Sequence, residues 1–175
     1  SKNNEITLCV MTDGASAQYD GKKMIKVRQD ACKKAGKILG ISKFHFLNFP
    51  DMKLDSISHV EMNKELEKII KKINPKILYS TSYNDLNKDH QKVFESCSVI
   101  SRPISSKIKK FLCFEMGGRN KIPFNPNTYV DISKELSFKL KALNQYKTEI
   151  NPFPHERSLK FIESLSHVRG VESGF

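Results

Sequence analysis

The stretch ILYSTSYNDLNKDHQKVFESCSVI, residues 77–100, decides the fold class of this chain. It begins with the apolar run 77–79, continues through the polar loop 85–90, and ends in the amphipathic run 93–100. A buried strand followed by a polar loop and a helix is typical of α/β proteins, which bind ligands at the carboxyl edge of a parallel sheet. This loop holds one imidazole, His90, among carboxylates.

Two interpretations of the loop follow from these residues. A neutral imidazole beside the carboxylates of Asp85 and Asp89 suits a zinc ligand or an acid–base group. Alternatively, Asn87 or Asp89 caps the helix, and His90 is a solvated residue of the first turn. The residues alone leave both interpretations open.

The rest of the chain alternates strand-like and helical patterns. Strands are predicted near residues 6–11, 44–49, 76–81, 108–116 and 128–132, and helices near 24–38, 58–74, 93–100, 133–146 and 158–168. This order predicts an α/β fold, a doubly wound, mostly parallel sheet with helices on both faces. We expect the loops after the first three strands to bring Asp13, Asp51 and the loop 85–90 to one edge of the sheet.

Composition narrows the classes of partner. A length of 175 residues favours one domain. The net charge of +11 comes almost entirely from Lys, because the chain has only five Arg, at positions 28, 102, 119, 157 and 169. Proteins that read bases and phosphates rely on the bidentate Arg side chain, so we expect no nucleic-acid partner. No window approaches the ~18 apolar residues of a membrane span, so we expect none.

The four cysteines indicate the cellular compartment of the protein rather than a metal or redox site. They form no Cys-x-x-Cys pair and have no zinc-like spacing to histidine. Reduced core cysteines in a cytoplasmic protein are the simplest interpretation. A homo-oligomer is left open by the sequence.

Seven segments together resemble the LmbE-like family, which includes the N-acetylglucosaminyl-phosphatidylinositol de-N-acetylases. In order they span residues 12–22, 27–41, 46–55, 85–90, 127–133, 142–159 and 167–175, which is essentially the whole chain. The resemblance implies a Rossmann-like fold with a Zn²⁺ site at the carboxyl edge of its sheet. It also implies a zinc-dependent hydrolase that removes an N-acetyl group from an N-acetylglucosamine-type sugar or glycoconjugate.

The resemblance assigns roles to individual residues. His90 is expected to bind the metal, Asn87 to donate to the oxyanion, and Asp85 to hydrogen-bond a sugar hydroxyl. Two further residues, Asp89 and Asp13, are expected to support the residues of the site. Three more are expected to contact the substrate: Arg28, His155 and Arg157. The alternatives are a helix cap for Asp89, loop geometry for Asp13 and a solvated helix face for Arg28. For His155 and Arg157 the alternative is a linker held in place by Phe153.

One motif of the family is absent from the sequence. In relatives, a His-Pro-Asp-Asp motif after the first strand supplies two more metal ligands and the general base, and this chain contains no such motif. We therefore expect a single LmbE-like domain over 1–175 that lacks its first strand and an internal loop near 116–118. The alternative function is that of a catalytically incomplete homologue, a sugar-binding, nucleotide-binding or structural module.

Overall fold

A computed structural model describes residues 4–19, 22–118, 120 and 122–175. The strands are β1 (Thr7–Thr12), β2 (Lys43–Phe49), β3 (Ile77–Ser80) and β4 (Lys110–Cys113). The helices are α1 (Lys22–Ile38), α2 (His59–Ile73), α3 (Lys88–Ile100), α4 (Leu136–Leu143) and α5 (Leu159–Ser173), with a 3₁₀ turn at Leu54–Ser56. Strands and helices alternate as far as β4, as the sequence predicts.

The chain divides into two compact units. The first comprises Ser1–Asn48 and Pro126–Phe175, and the second comprises Phe49–Asn125. The first therefore contains β1, α1, nearly all of β2, α4 and α5, and the second contains α2, β3, α3 and β4. That the two units form one LmbE-like domain stays a prediction.

The second unit is built on a strand–helix–strand motif. β3 and β4 pair in parallel, with Ile77 opposite Lys110 and Ser80 opposite Cys113. The connection between them runs through α3, since parallel strands require a crossover. Phe94 of α3 lies over Phe111 of β4, with their ring centroids 5.9 Å apart. The prediction of parallel pairing is confirmed for these two strands.

The core of the second unit lies beneath α2. Met62 and Leu66 are buried, as the apolar stripe of that helix predicts, and Met62 is fully inaccessible to solvent. Leu54, in the 3₁₀ turn, is also fully buried. The segment after β2 is therefore fixed in the same unit as α3, which carries the predicted site loop.

The first unit pairs β1 with β2 and packs α1 through small residues. The buried face of α1 carries Ala31, Ala35 and Gly36. A methyl group at Gly36 would lie only 2.4 Å from Cζ of Phe44 in β2. The absence of a side chain at this position is therefore what lets helix and strand approach so closely.

The predicted strand at 128–132 is wrong, because residues 123–132 have no regular secondary structure. Prolines at 123 and 126 each lack the N–H that a ladder needs. The carboxylate of Asp131 then accepts hydrogen bonds from the hydroxyl and the N–H of Ser133, at 2.6 and 2.9 Å. These bonds hold the pKa of Asp131 below its usual range, and the local turn delays the start of α4 to Leu136.

Two further sequence expectations concern the whole chain. None of the helices among the described residues has both the length and the apolar character that crossing a membrane requires. All four cysteines are reduced, and Cys32 and Cys97 are buried. Burial raises the pKa of the Cys97 thiol.

Candidate active site

The predicted loop lies at the carboxyl end of β3, and Asn87 begins the helix that follows. Its side-chain oxygen Oδ1 accepts hydrogen bonds from the backbone N–H groups of Asp89 and His90, at 2.8 and 3.4 Å. Asn87 is thus the N-cap of α3, which satisfies two backbone donors in the first turn. The cap fixes the start of α3 and therefore the position from which the side chain of His90 projects.

His90 is held by a buried carboxylate. Its Nδ1 lies 2.6 Å from Oδ2 of Asp85, a residue that is fully buried, whereas the side chain of His90 is 25% exposed. The other carboxylate oxygen, Oδ1, accepts the backbone N–H of Asn87 at 2.8 Å. A carboxylate oxygen accepts hydrogen bonds, so Nδ1 is the donor and the neutral imidazole has its lone pair on Nε2. This arrangement of carboxylate and imidazole is the one that orients histidine ligands in metal sites.

Two neighbours that sequence reasoning missed fix the backbone of this pair. The hydroxyl of Thr81 donates to the carbonyl oxygen of His90 at 2.8 Å. The side-chain amide of Gln91 donates to the carbonyl oxygen of Asp85. Gln91 is adjacent to His90 in sequence, but its side chain gives no signal that it turns back to the loop.

The carboxylate of Asp89 is bonded to the segment after β2. Its carboxylate accepts the backbone N–H groups of Met52 and Leu54, at 2.7 and 3.0 Å, in the segment after β2. Met52 has a positive φ of 57°, a conformation that costs free energy for a residue with a side chain. Asp89 therefore anchors this turn, and the carboxylate behind His90 is Asp85, whose two oxygens are both engaged inside the protein.

Asn87 has a second polar end that the cap does not use. Among the described residues, its amide nitrogen Nδ2 has one hydrogen-bond partner, the thioether sulfur of Met52, at 3.5 Å. Sulfur is a weak acceptor, so this N–H₂ group remains a competent donor. Capping and donation to a ligand are compatible, because they use opposite ends of the same side chain.

The remaining predicted residues belong to the first unit. Asp13 accepts the backbone N–H groups of Ala15 and Ser16, at 3.0 and 2.9 Å, and so fixes the turn after β1. His155 is exposed, and its Nδ1 accepts the backbone N–H of Arg157 at 2.9 Å.

Glu149, which sequence reasoning missed, joins the two predicted arginines. Its Oε1 lies 2.5 Å from Nη2 of Arg28, and its Oε2 pairs with Nη1 of Arg157. Tyr146 lies nearby, and its pKa is raised by burial and by a hydrogen bond with Cys32, with a smaller opposing effect of Arg28. The phenol is therefore neutral, and the charge of this region comes from the arginines and Glu149. A lone Glu in a polar segment carries no sequence signal for such a bridge.

The fit of these residues to Zn²⁺ is partial. His90, with Asp85 behind it, fits one metal ligand. Across residues 4–19, 22–118, 120 and 122–175, no three His, Cys, Asp or Glu side chains come together to hold a metal ion. A zinc site needs three protein ligands and an open position, so the described residues do not complete one.

Comparison with known families decides the relationship. Residues 1–100 match the family profile described as "PIG-L: GlcNAc-PI de-N-acetylase". The chain belongs to the PIG-L family. The match includes β1 to α3 and thus the loop that carries Asp85, Asn87 and His90, so the LmbE-like resemblance is confirmed.

Two solved structures are similar to this PIG-L family chain. The conserved protein TT1542 from Thermus thermophilus is 16% identical, with 99% of this chain and 77% of that protein covered and a TM-score of 0.74. An N,N'-diacetylchitobiose deacetylase from Pyrococcus horikoshii, solved with its inhibitor MPG, is 19% identical, with a TM-score of 0.60. That likeness covers 96% of this chain but 66% of the deacetylase, so the chain spans about two thirds of its length. These likenesses confirm the α/β fold class.

Proposed function

We propose that the protein is a zinc-dependent N-deacetylase acting on an N-acetylglucosamine-type sugar or glycoconjugate. The observation that carries this proposal is the pair of His90 and Asp85, 2.6 Å apart, at the carboxyl end of a parallel strand. Membership of a family described as GlcNAc-PI de-N-acetylase supports the reaction class. Similarity in fold to an N,N'-diacetylchitobiose deacetylase supports the choice of an N-acetylated amino sugar.

Each residue of the loop has a role in this proposal. In a loaded site His90 would bind Zn²⁺ through Nε2, and Asp85 would keep the proton on Nδ1 so that Nε2 stays available. When bound, Zn²⁺ lowers the pKa of water and polarises the amide carbonyl. The N–H₂ group of Asn87 donates to the oxyanion that develops as the amide is attacked. Because an amide cannot supply a proton, Asn87 does not protonate the leaving amine.

A second function is favoured by one observation, the incomplete ligand set among the described residues. On that alternative, the protein is a catalytically incomplete homologue that binds an N-acetylated sugar or a nucleotide without hydrolysing it. His90 would then hydrogen-bond the ligand rather than bind a metal. Binding of an N-acetylated sugar without release of acetate is the result that separates this function from the first.

The test is acetate release by the full-length protein from a panel of N-acetylated sugars. The panel contains N-acetylglucosamine, N,N'-diacetylchitobiose and an N-acetylglucosaminyl glycolipid. We expect turnover of at least one, loss of turnover on chelation, and recovery when Zn²⁺ is restored. Protein purified with much less than one zinc per chain, and active in the presence of chelator, would refute the role of zinc.

A matched pair of histidine variants completes the test. His90→Gln should abolish turnover, because the amide cannot replace the imidazole as a zinc ligand. His167→Gln is the control, since this histidine is exposed on α5. Equal activity of the two variants would contradict the assignment of His90.

A further inference from the structure

Met52, in the segment after β2, has a backbone conformation that its residue type does not favour. Its φ of 57° lies in the left-handed region, where glycine would meet no steric cost. Residues with a side chain persist in this region only where the surrounding structure holds them, and they concentrate at functional sites. The cost is explained if the long side chain of Met52 has a use at this position.

The structure fixes Met52 beside the loop 85–90. Its backbone N–H donates to Oδ2 of Asp89 at 2.7 Å, and the N–H of Leu54 donates to Oδ1 at 3.0 Å. Leu54 is fully buried, so this segment is anchored on both sides of the bonds to Asp89. Because Asp89 directly precedes His90, the backbone of Met52 is held at a set position relative to the imidazole.

The side chain of Met52 lies against the proposed oxyanion donor. Its sulfur Sδ is 3.5 Å from Nδ2 of Asn87, and 53% of the residue is exposed. A carbonyl oxygen is a stronger acceptor than a thioether, so a bound amide would take this N–H₂ group from the sulfur. That oxygen would lie about 2.9 Å from Nδ2, and the side chain of Met52 would then be its neighbour.

The acyl chain is the part of the substrate that suits this neighbour. The carbonyl carbon of an N-acylated amino sugar carries two substituents, the acyl chain and the nitrogen that leads to the sugar. The sugar is covered with hydroxyls that need polar partners, whereas the acyl chain is apolar. Met52 and the exposed Leu86, which directly precedes Asn87, offer apolar surface, and an unbranched thioether side chain packs closely around a small apolar group.

We propose that Met52 is a specificity-determining residue that closes the acyl end of the site, so that an acetyl group is accepted and longer acyl chains are excluded. This inference rests on the proposed deacetylase function and specifies the acyl group of its substrate. A longer chain has to displace the side chain of Met52, whose backbone cannot follow because Asp89 holds it. One methylene in an apolar pocket changes kcat/KM by about 10–200-fold.

The first experiment compares kcat/KM of the full-length protein for N-acetylglucosamine, N-propionylglucosamine and N-butyrylglucosamine. The wild type should prefer the acetyl over the butyryl substrate by about tenfold or more. Met52→Gly should reduce that ratio by about tenfold, chiefly by raising kcat/KM for the butyryl substrate. The variant should fold with a Tm within a few degrees of the wild type, since glycine adopts a positive φ without strain. Met52→Ala, which shortens the side chain but keeps Cβ, should shift the ratio in the same direction.

Two matched controls separate the side chain of Met52 from its backbone. Met52→Leu keeps an apolar side chain of similar size and should keep the preference for acetyl. Asn74→Gly makes the same kind of backbone change elsewhere in the unit, because Asn74 has a φ of 51° at the end of α2, before β3 rather than after it. This variant should leave the ratio at the wild-type value.

The second experiment measures binding of N-acetylglucosamine and N-butyrylglucosamine by calorimetry to metal-free protein, which separates acyl recognition from turnover. The ratio of the two Kd values should fall in Met52→Gly as the ratio of kcat/KM does. A purely structural role of Met52 would change Tm in Met52→Gly and leave both ratios unchanged, and that result would overturn the proposal.

The outcomes also separate this inference from the proposed function. Acetate release by a wild type that does not discriminate among the three acyl groups would overturn the inference and leave the function intact. A binding preference for the acetyl sugar that is lost in Met52→Gly, without acetate release by the wild type, would support the inference and contradict hydrolysis. A protein that neither binds nor hydrolyses any of the three sugars would overturn both.

Discussion

Replacement of Asp85 by Asn is the most direct test of how the site is held. The two side chains have nearly the same shape, so the change removes the charge without opening a cavity. In the structure, Oδ1 of Asp85 accepts the N–H of Asn87 and Oδ2 accepts Nδ1–H of His90. An amide in the same place keeps its carbonyl on the N–H of Asn87 and turns its N–H₂ group towards His90.

That reversal changes the tautomer of His90. An N–H₂ group donates to Nδ1, so the ring proton moves to Nε2 and the lone pair is no longer available there. Loss of such an orienting carboxylate lowers metal affinity by roughly 10–100-fold, or about 1.4–2.7 kcal/mol. We therefore expect Asp85→Asn to lower zinc affinity by about that factor and to lower acetate release at limiting zinc.

The same substitution also lowers stability. A hydrogen bond to a charged group contributes about 1.5–3 kcal/mol and a neutral one about 0.5–1.5 kcal/mol, so exchanging the first for the second between residue 85 and His90 should cost about 1–1.5 kcal/mol. For a chain of this size, each kcal/mol shifts Tm by roughly 2–4 °C, so the expected decrease is about 2–6 °C. Zinc affinity must therefore be measured below the unfolding transition, by competition with a chromophoric chelator.

Asp89→Asn is the matched control. Asp89 is buried and accepts two backbone N–H groups, so its replacement, which turns an N–H₂ group towards one of these donors, should cost at least as much stability. Its carboxylate bonds to Met52 and Leu54 rather than to the ring of His90, so zinc affinity of the folded protein should change much less. Equal losses of zinc affinity in Asp85→Asn and Asp89→Asn would refute the claim that Asp85 acts through His90.

Three further predictions follow from the described contacts. Asn87→Asp should keep the cap and stability but lower kcat, since the N–H₂ donor is lost, whereas Asn87→Ala should also cost about 1 kcal/mol in urea unfolding; unchanged kcat in both variants contradicts the donor role. Gly36→Ala should destabilise the protein by about 1–3 kcal/mol through its clash with Phe44, and Phe44→Leu in the same chain should recover part of the loss. Cys97 should react with iodoacetamide only on unfolding, because it is buried and its pKa is raised. The raised pKa also means that the folded state holds this proton more tightly, so the free energy of unfolding should decrease as pH rises above the ordinary thiol pKa of 9.0.

The sequence predicts the parts of this fold that depend on local pattern. The apolar run at 77–79 predicts β3, and the capping alternative at Asn87 predicts the start of α3, because strand ends and helix caps are encoded by neighbouring residues. The amphipathic pattern alone places this helix at 93–100, five residues too late at its start. The strand predicted at 128–132 fails for the opposite reason. Its apolar residues suggest a strand, but the prolines before it and the turn that begins at Asp131, inside the predicted range, prevent pairing.

The site is predictable in its residues but not in their partners. The loop composition identifies Asp85, Asp89 and His90, but it cannot say which carboxylate faces the imidazole. That depends on the path of the segment after β2, where the backbone N–H groups of Met52 and Leu54 donate to the carboxylate of Asp89. Glu149 is beyond prediction because its bridge joins residues that are far apart in sequence.

The histidine and its carboxylate are only five residues apart, and both are held by the same helix start. Such a pair can assemble as soon as α3 nucleates, with little loop-closure entropy. The Glu149 bridge between Arg28 and Arg157 joins α1 to the segment after α4, so it forms only after long-range packing. Under mild denaturant this bridge should therefore break first and the histidine pair should persist.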